Sequence, residues 1–208
     1  MAKVLDWNSI SATVPLIGTL PDRYRQGVAL RQVTKGEPIF RRGDKPRYML
    51  AVLSGEVRLV RSSPHGGEVI FQRARRGLLA EASLDQPRYH CDAVAAEDSE
   101  LIAVPRNAFR DALTVDVFRD RWTTHLLQEL RRVRAHAERL SLHKARDRIV
   151  HYIEAEGENG SVVLNQSKKD WAAELALTHE ALYRALANME ANGELTVLQS
   201  RLVFVGSR

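Results

Sequence analysis

The segment from Ser167 to Glu194 reads SKKDWAAELALTHEALYRALANMEANGE, and the rest of the chain is best understood from it. Two short helical patterns lie on either side of a tight turn. Ser167 is placed to cap the first helix, with Asp170 three residues later in the reciprocal position of a capping box. Thr178 is placed to cap the second helix, which meets the stop signal Asn192-Gly193 at its end. The segment therefore predicts two helices joined by a sharp turn.

The second helix of this pair has two different faces. Leu182, Leu186 and Met189 recur at helical spacing and are expected to face a core. The opposite face carries polar side chains near the beginning of the helix, namely His179, Glu180, Tyr183 and Arg184. This layout is typical of the recognition helix of a helix-turn-helix motif, whose first turns reach base edges in the major groove. An ordinary helical hairpin with a solvated face is the alternative.

Composition limits the class of protein. The 208 residues are 27% charged and 44% hydrophobic, which is typical of a globular chain with one or two domains. No apolar run approaches the length of a membrane-spanning helix, and the first residues, MAKVLDWNSI, lack a signal-peptide core. We therefore expect a cytoplasmic protein without a membrane partner. The single cysteine, Cys91, excludes an internal disulfide framework and a four-cysteine iron–sulfur cluster within the chain.

The net charge is positive, but the carboxyl-terminal part of the chain does not carry the excess. The net charge of +5 gives a mild attraction to polyanions. Residues 144–208, however, hold 8 Lys and Arg against 9 Asp and Glu, although they include the helical pair. A role in binding DNA must therefore rest on where individual charges lie.

Short strand patterns fill the first half of the chain. They are Leu30–Val33, Pro38–Phe40, Tyr48–Leu53, Glu56–Ser62, Glu68–Arg73, Ala93–Ala96 and Leu101–Val104. Short strands separated by turn signals predict a β-barrel or jelly roll. The Gly66-Gly67 pair has neither a strand-to-helix context nor a Walker lysine, so we interpret it as a hairpin turn.

A long helix is predicted from about residue 115 to residue 140. Its apolar residues are spaced four, three, four and three apart, and they are Leu126, Leu130, Val133, Ala137 and Leu140. A narrow heptad seam with a charged surround favours a two-helix dimer interface over packing of the helix on its own domain. Ser141-Leu142-His143 then marks a hinge before a further helix over residues 144–155. Leu195–Leu198 and Leu202–Val205 are expected to form a terminal hairpin, or wing.

From about residue 28 to residue 205 the chain resembles the bacterial CRP/FNR transcription regulators. The carrying motifs are KGEPIFRRGD (Lys35–Asp44), LSGEVRLV (Leu53–Val60), AEASL (Ala80–Leu84), DSELIAVPR (Asp98–Arg106), KARDRIVHYI (Lys144–Ile153) and THEALYRAL (Thr178–Leu186). The resemblance implies an α+β fold with a cyclic-nucleotide-binding-like jelly roll in residues 1–114. A dimerisation helix and hinge would follow in residues 115–142, and a winged helix-turn-helix in residues 143–208.

The same resemblance implies a function and a set of DNA contacts. It implies a homodimeric regulator that reads palindromic double-stranded DNA, with RNA polymerase as a further partner. Glu180 and Arg184 match family positions that read bases, and their groups suit a cytosine amino group and a guanine edge. The predicted DNA-binding residues are Ser167, Lys168, Lys169, Thr178, His179, Glu180, Tyr183 and Arg184. Ala176 stands where the family usually has a glycine in the turn, which would cost roughly 1 kcal/mol if its φ is positive.

The effector pocket departs from the family pattern. Relatives that bind cAMP hold the ribose with a Gly-Glu pair and the cyclic phosphate with an Arg-Ser pair. Ala80-Glu81 keeps the glutamate here, but Tyr89-His90 or His90-Cys91 replaces the Arg-Ser pair. The candidate pocket residues are Glu81, Arg88, Tyr89, His90, Cys91, Val133 and Arg134. A phosphodiester without a fixed cation loses its charge-assisted hydrogen bonds, so we expect cAMP and cGMP to bind weakly or not at all. The protein would then either bind DNA without a ligand or respond to another signal.

Other functions remain as alternatives. His90 and Asp92 would share one face of a strand while Cys91 points to the other, so we expect no metal site there. Haem-sensing relatives use residues of this region, which keeps a haem-based gas-sensing regulator open. A signalling module that acts through protein contacts is the second alternative. No nucleophile–base pair, carboxylate dyad or Walker loop is visible in the sequence, so we expect no enzyme.

Overall fold

The computed structural model describes residues 5–62, 68–164 and 166–205. The predicted Gly66-Gly67 turn lies outside these residues. By its internal contacts the chain divides into two compact units, residues 1–125 and residues 126–208. The boundary falls inside one long helix.

The first unit is built around two antiparallel sheets. Its strands are β1 (Ala29–Val33), β2 (Pro38–Phe40), β3 (Tyr48–Ser54), β4 (Val57–Ser62), β5 (Glu68–Ala74), β6 (Gly77–Leu79), β7 (Asp92–Ala95) and β8 (Ser99–Pro105). One sheet has the order β1-β8-β3-β6 and the other the order β2-β7-β4-β5. Every strand pairing within them is antiparallel, and the chain passes repeatedly from one sheet to the other. The jelly-roll-like arrangement confirms the predicted fold of this part of the chain.

One of the two sheets is buried on both faces. Side chains alternate along a strand, so Leu50 and Val52 of β3 point into the core between the sheets. Met49 and Ala51 point the other way, into a second core formed with the helices of this unit. Those helices are α1 (Trp7–Thr13), α2 (Pro15–Gly18), α3 (Arg106–Ala112) and the beginning of α4 (Asp116–Ser141). Burial on both faces explains why β3 reads as an unbroken apolar run.

Aromatic side chains at the beginning of α4 pack against α3 within the first unit. Phe118 and Trp122 of α4 are buried, and each meets the ring of Phe109 in α3 edge to face. The ring centroids are 5.4 and 5.2 Å apart, which is a favourable separation for such pairs. The predicted long helix over residues 115–140 therefore exists with nearly the expected bounds.

The second unit combines helices with a small sheet. Besides the end of α4 it contains α5 (Ala145–Glu156), β9 (Ser161–Val163), α6 (Lys168–Glu174), α7 (His179–Ala191), β10 (Leu195–Leu198) and β11 (Arg201–Phe204). The three strands form an antiparallel sheet in the order β10-β11-β9. Its core joins Trp171 of α6 to Leu182, Leu186 and Met189 of α7, as the helical spacing predicted. Strand β9 has three residues and was not predicted.

Local hydrogen bonds set the ends of α6 and the turn that follows. The Ser167 hydroxyl accepts from the backbone N–H of Asp170 (3.1 Å) and donates to its carboxylate (2.8 Å). At the other end, the N–H of Leu177 reaches the carbonyl of Ala172, and that of Ala176 reaches the carbonyl of Ala173. These two bonds define a Schellman motif, whose left-handed position is usually a glycine. Ala176 occupies that position with φ 51°.

This turn leads to a prediction about stability. An alanine in the left-handed region costs about 1–2 kcal/mol, and a glycine at position 176 would remove this strain from the folded state. Glycine also gives the unfolded chain more conformational freedom, which lowers the gain by about 0.4–1 kcal/mol. We therefore expect Ala176→Gly to stabilise the protein by roughly 0.5–1 kcal/mol, measured by urea unfolding. Ala173→Gly is the matched control, because it places glycine inside α6 and should destabilise by about 1 kcal/mol. Equal losses in both variants would contradict the strain at Ala176.

Candidate nucleic-acid interface and effector pocket

The beginning of α7 presents one continuous polar surface. The Thr178 hydroxyl oxygen accepts from the backbone N–H of Ala181 at 3.1 Å and so caps the helix. All four polar residues predicted on this face are exposed, namely His179, Glu180, Tyr183 and Arg184. Leu182, on the other side of the helix, is fully buried. The sequence prediction therefore placed both faces of α7 correctly, whereas their role in DNA binding stays a prediction.

Three side chains bring α6 and α7 together at this surface. The rings of His179 and Tyr183, one helical turn apart, have their centroids 4.4 Å from each other at an angle of 55°. The Lys168 ammonium lies 5.2 Å from the centroid of the Tyr183 ring, within the range of a cation–π contact. Ser167 and Lys169 are exposed at the same end of α6. The residues of the two helices thus form one patch.

Two charged groups of the patch have distinct chemistry. Hydrogen bonds from its own backbone N–H and from the Thr178 hydroxyl lower the pKa of Glu180, so this side chain is an ionised acceptor. Among the residues that the structure describes, no ion pair engages Arg184. Arg184 borders a pocket of about 310 Å³ that is also lined by Ala145, Arg146, Ala181, Ala185, Asn188, Met189, Asn192 and Glu194. Its neighbour Arg146 is paired with Glu194.

The predicted dimer seam is an uncovered apolar row. Leu126, Leu130, Val133, Ala137 and Leu140 are all exposed on α4. Leu130 exposes 44% of its surface and Val133 exposes 64%. In contrast, Arg139 is only 1% exposed, so a different side of α4 faces the core of the second unit. A row of exposed aliphatic side chains at heptad spacing suits association with a second helix.

The glutamate of the candidate effector pocket has a partner that the sequence did not indicate. Glu81 opens a 3-10 turn over Glu81–Ser83, and its carboxylate lies 3.1 Å from Nε2 of His125 in α4. The His125 ring in turn stacks on Trp122, with centroids 5.7 Å apart. Ala80, where cAMP-binding relatives carry a glycine, adopts φ 61°. No local pattern links His125 to Glu81, because 44 residues separate them.

The residues at the predicted phosphate position mostly face the protein interior. Tyr89 is buried and its ring stacks on Phe40 at 3.6 Å, and burial raises the pKa of its phenol to about 12. Cys91 is fully buried, and burial raises the pKa of its thiol. His90 is exposed between them. The alternation of faces expected for this segment is therefore present.

Arg88, the candidate pocket residue next to the position of the family's Arg-Ser pair, has a hydrogen-bond partner in another loop of the first unit. The Arg88 guanidinium donates to the backbone carbonyl of Gly43 at 2.7 Å. Val133 and Arg134 are exposed on the part of α4 that belongs to the second unit. Tyr89 borders a pocket of about 310 Å³ whose other lining residues are Arg31, Ile39, Phe40, Asp44, Lys45, Arg47, Tyr48 and Leu50. Glu81 thus contacts His125, whereas Tyr89 packs on Phe40.

Neither a metal cluster nor a membrane-spanning helix occurs in the described ranges 5–62, 68–164 and 166–205. Within them, no group of three or more His, Cys, Asp and Glu side chains is arranged to hold a metal ion. None of the helices described there combines the length and the apolar character needed to span a membrane.

Comparison with known proteins identifies a domain family in the first unit and shows which solved structures have a similar fold. Residues 30–116 match the family model of the cyclic nucleotide-binding domain. No match to a curated protein is found. Among solved structures, FixK2 from Bradyrhizobium japonicum is similar over 86% of this chain and 93% of that chain, with 22% identity and a TM-score of 0.63.

Two other solved structures are also similar to this chain over most of their length. One is CLP from Xanthomonas campestris, a global regulator responsive to c-di-GMP, with 20% identity over 89% of this chain and 98% of that chain and a TM-score of 0.57. The other is a transcriptional regulator of the CRP family from Thermus thermophilus, with 21% identity over 85% of this chain and 92% of that chain and a TM-score of 0.54. At these identities the likeness concerns the fold, and it confirms the predicted α+β class.

Proposed function

We propose that this chain, which has a cyclic nucleotide-binding domain and the fold of the CRP/FNR transcription regulators, is a homodimeric regulator that reads a palindromic site in double-stranded DNA. The observation that carries the proposal is the exposed polar face at the beginning of α7, directly after the sharp turn. A helix that bound another protein through this surface would more often present apolar side chains there. His179, Glu180, Tyr183 and Arg184 instead offer donors and acceptors.

The chemistry of these groups suits base edges. Arg184 carries a planar fork of donors that fits O6 and N7 of guanine. The ionised Glu180 carboxylate is an acceptor for the amino group of cytosine. Lys168, Lys169 and Ser167 lie on the neighbouring helix, where they are suited to phosphate contacts that position the protein. Because residues 144–208 carry 8 basic against 9 acidic side chains, attraction to DNA depends on where Lys168, Lys169 and Arg184 lie and not on the sum of the charges.

The exposed seam of α4 supports a dimer. Two copies joined along this row would present two α7 helices related by a two-fold axis, and two-fold symmetry in the protein matches a palindrome in the DNA. RNA polymerase is a further partner of the proposed regulator, since a bound regulator alters transcription through it.

The effector of the proposed regulator is not cAMP. By the family resemblance, Tyr89 or His90 takes the position of the arginine that binds the cyclic phosphate, and Tyr89 is buried against Phe40. Arg88 donates to Gly43, and Glu81 lies against His125. A cyclic phosphate in this place would lose its charge-assisted hydrogen bonds.

The first test of the proposal concerns base reading by Arg184. After a binding site has been selected from random DNA with the wild-type protein, Arg184→Ala should cost about 1–3 kcal/mol at that site and relax the preference at one base position. Lys169→Ala is the control, because loss of a phosphate contact should weaken binding to all sequences and reduce the salt dependence. Equal losses of Arg184→Ala on specific and random DNA would refute the base-reading role.

The second test concerns the seam. Leu130→Asp combined with Val133→Asp places carboxylates without partners in the proposed interface, where their desolvation is costly. Sedimentation should show a folded monomer with greatly reduced DNA affinity. Val117→Asp is the control, because Val117 is exposed on α4 outside the seam and this variant should remain a dimer. A double variant with unchanged dimer mass would show that the seam is not the interface.

The third test concerns the effector. Calorimetry with cAMP and with cGMP should detect weak binding or none, because Tyr89 or His90 replaces the arginine of the family's Arg-Ser pair and Arg88 donates to Gly43 instead. Selected DNA should be bound to the same extent with and without either nucleotide. Micromolar binding of cAMP that disappears in Glu81→Ala would contradict this expectation.

A further inference from the structure

The side chain of Arg148 in α5 lies where four backbone carbonyl groups converge. Its Nε donates to the carbonyl of Leu142 at 2.7 Å, and its Nη2 lies 3.4 Å from that of Leu140. Its Nη1 donates to the carbonyls of Leu175 at 3.0 Å and Ala176 at 2.9 Å. One guanidinium therefore contacts two segments that are far apart in the sequence.

Both segments are the carboxyl ends of helices. Leu140 and Leu142 belong to the end of α4, while Leu175 and Ala176 belong to the end of α6. The last carbonyl groups of a helix lack partners within it, and the helix dipole makes this end negative. A cation with donors on several sides satisfies both ends at once, which the compact ammonium of a lysine does less well.

The contact is next to the recognition helix. Thr178, which caps α7, follows Ala176 by two residues. A second arginine holds the same end of α4, since Arg139 is buried with its guanidinium 4.7 Å from the centroid of the Tyr152 ring and 3.4 Å from the Glu156 carboxylate. The end of α4 and the beginning of α7 are thus tied together inside the second unit.

We infer that Arg148 is a positioning residue, which fixes the direction of α7 relative to the seam of α4 and thereby sets the spacing between the two half-sites that the dimer accepts. The inference rests on the proposed function. In a dimer joined along α4, the separation of the two α7 helices depends on this angle in each copy. That separation must match the distance between half-sites along the DNA.

The experiment uses the full-length dimer and the site selected with the wild-type protein. Affinity is measured for a series of palindromes whose spacer is shortened or lengthened by single base pairs, and for a DNA that contains one half-site. The wild-type protein should prefer one spacer. Arg148→Met should bind the half-site like the wild-type protein, lose about tenfold or more on the best palindrome, and accept neighbouring spacers almost equally. Arg148→Lys should lie between the two, because it keeps the charge but not the fork of donors.

The control is a substitution of a second arginine in α5. Arg146→Met removes a neighbouring arginine of α5 that pairs with Glu194 and Asp147, and it should keep the wild-type spacer preference. Arg148→Met that weakens half-site and palindrome by the same factor, with an unchanged best spacer, would overturn the inference and leave a stabilising role. If Arg148→Met does not fold, the same comparison is made with Arg148→Lys. A wild-type protein that selects no site at all would instead refute the proposed function.

Discussion

The carbonyl groups left without partners where α4 and α6 end are the constraint on which the second unit depends. A carbonyl that loses water without gaining a donor costs about 1–3 kcal/mol, so a side chain that donates to both helix ends favours their meeting. Arg148 does so from α5, and Ala176 adopts the left-handed conformation that closes the turn after α6. Because one side chain serves both ends, the direction in which α7 leaves the turn is coupled to the end of α4.

A different constraint shapes the first unit. The sheet that contains β3 is buried on both faces, and the space between the sheets is filled by apolar side chains together with Tyr89 and Cys91. Each buried Val, Leu, Ile or Phe side chain of this core contributes roughly 1.5–3 kcal/mol through the hydrophobic effect. The stacking of Tyr89 on Phe40 is part of this packing. The imidazole of His125, which contacts Glu81, adds a group that no family motif indicated.

Much of the fold could be predicted because its signals are local. Capping residues such as Ser167 and Thr178 act within three residues, and the buried and exposed faces of α7 follow from helical periodicity. Most predicted strands have bounds within one or two residues of those observed. Strands β6 and β9 were missed, because three residues are too few to show a period of two. Strand β2 is equally short, but turn signals at Lys35-Gly36 and Gly43-Asp44 mark both of its ends. Helix α3 was missed because it follows directly on the apolar run of β8.

The sequence by itself determined which residues are exposed together, since periodicity and caps depend on neighbours along the chain. It therefore indicated the polar patch on α7 and the apolar seam on α4. Only the tertiary structure decided which distant groups meet, because a contact such as that of His125 with Glu81 leaves no periodic trace. The same holds for Arg148, whose neighbours along the chain give no sign of its four carbonyl contacts. Its role depends on where two other helices end, and that is settled only when the core of the second unit has packed.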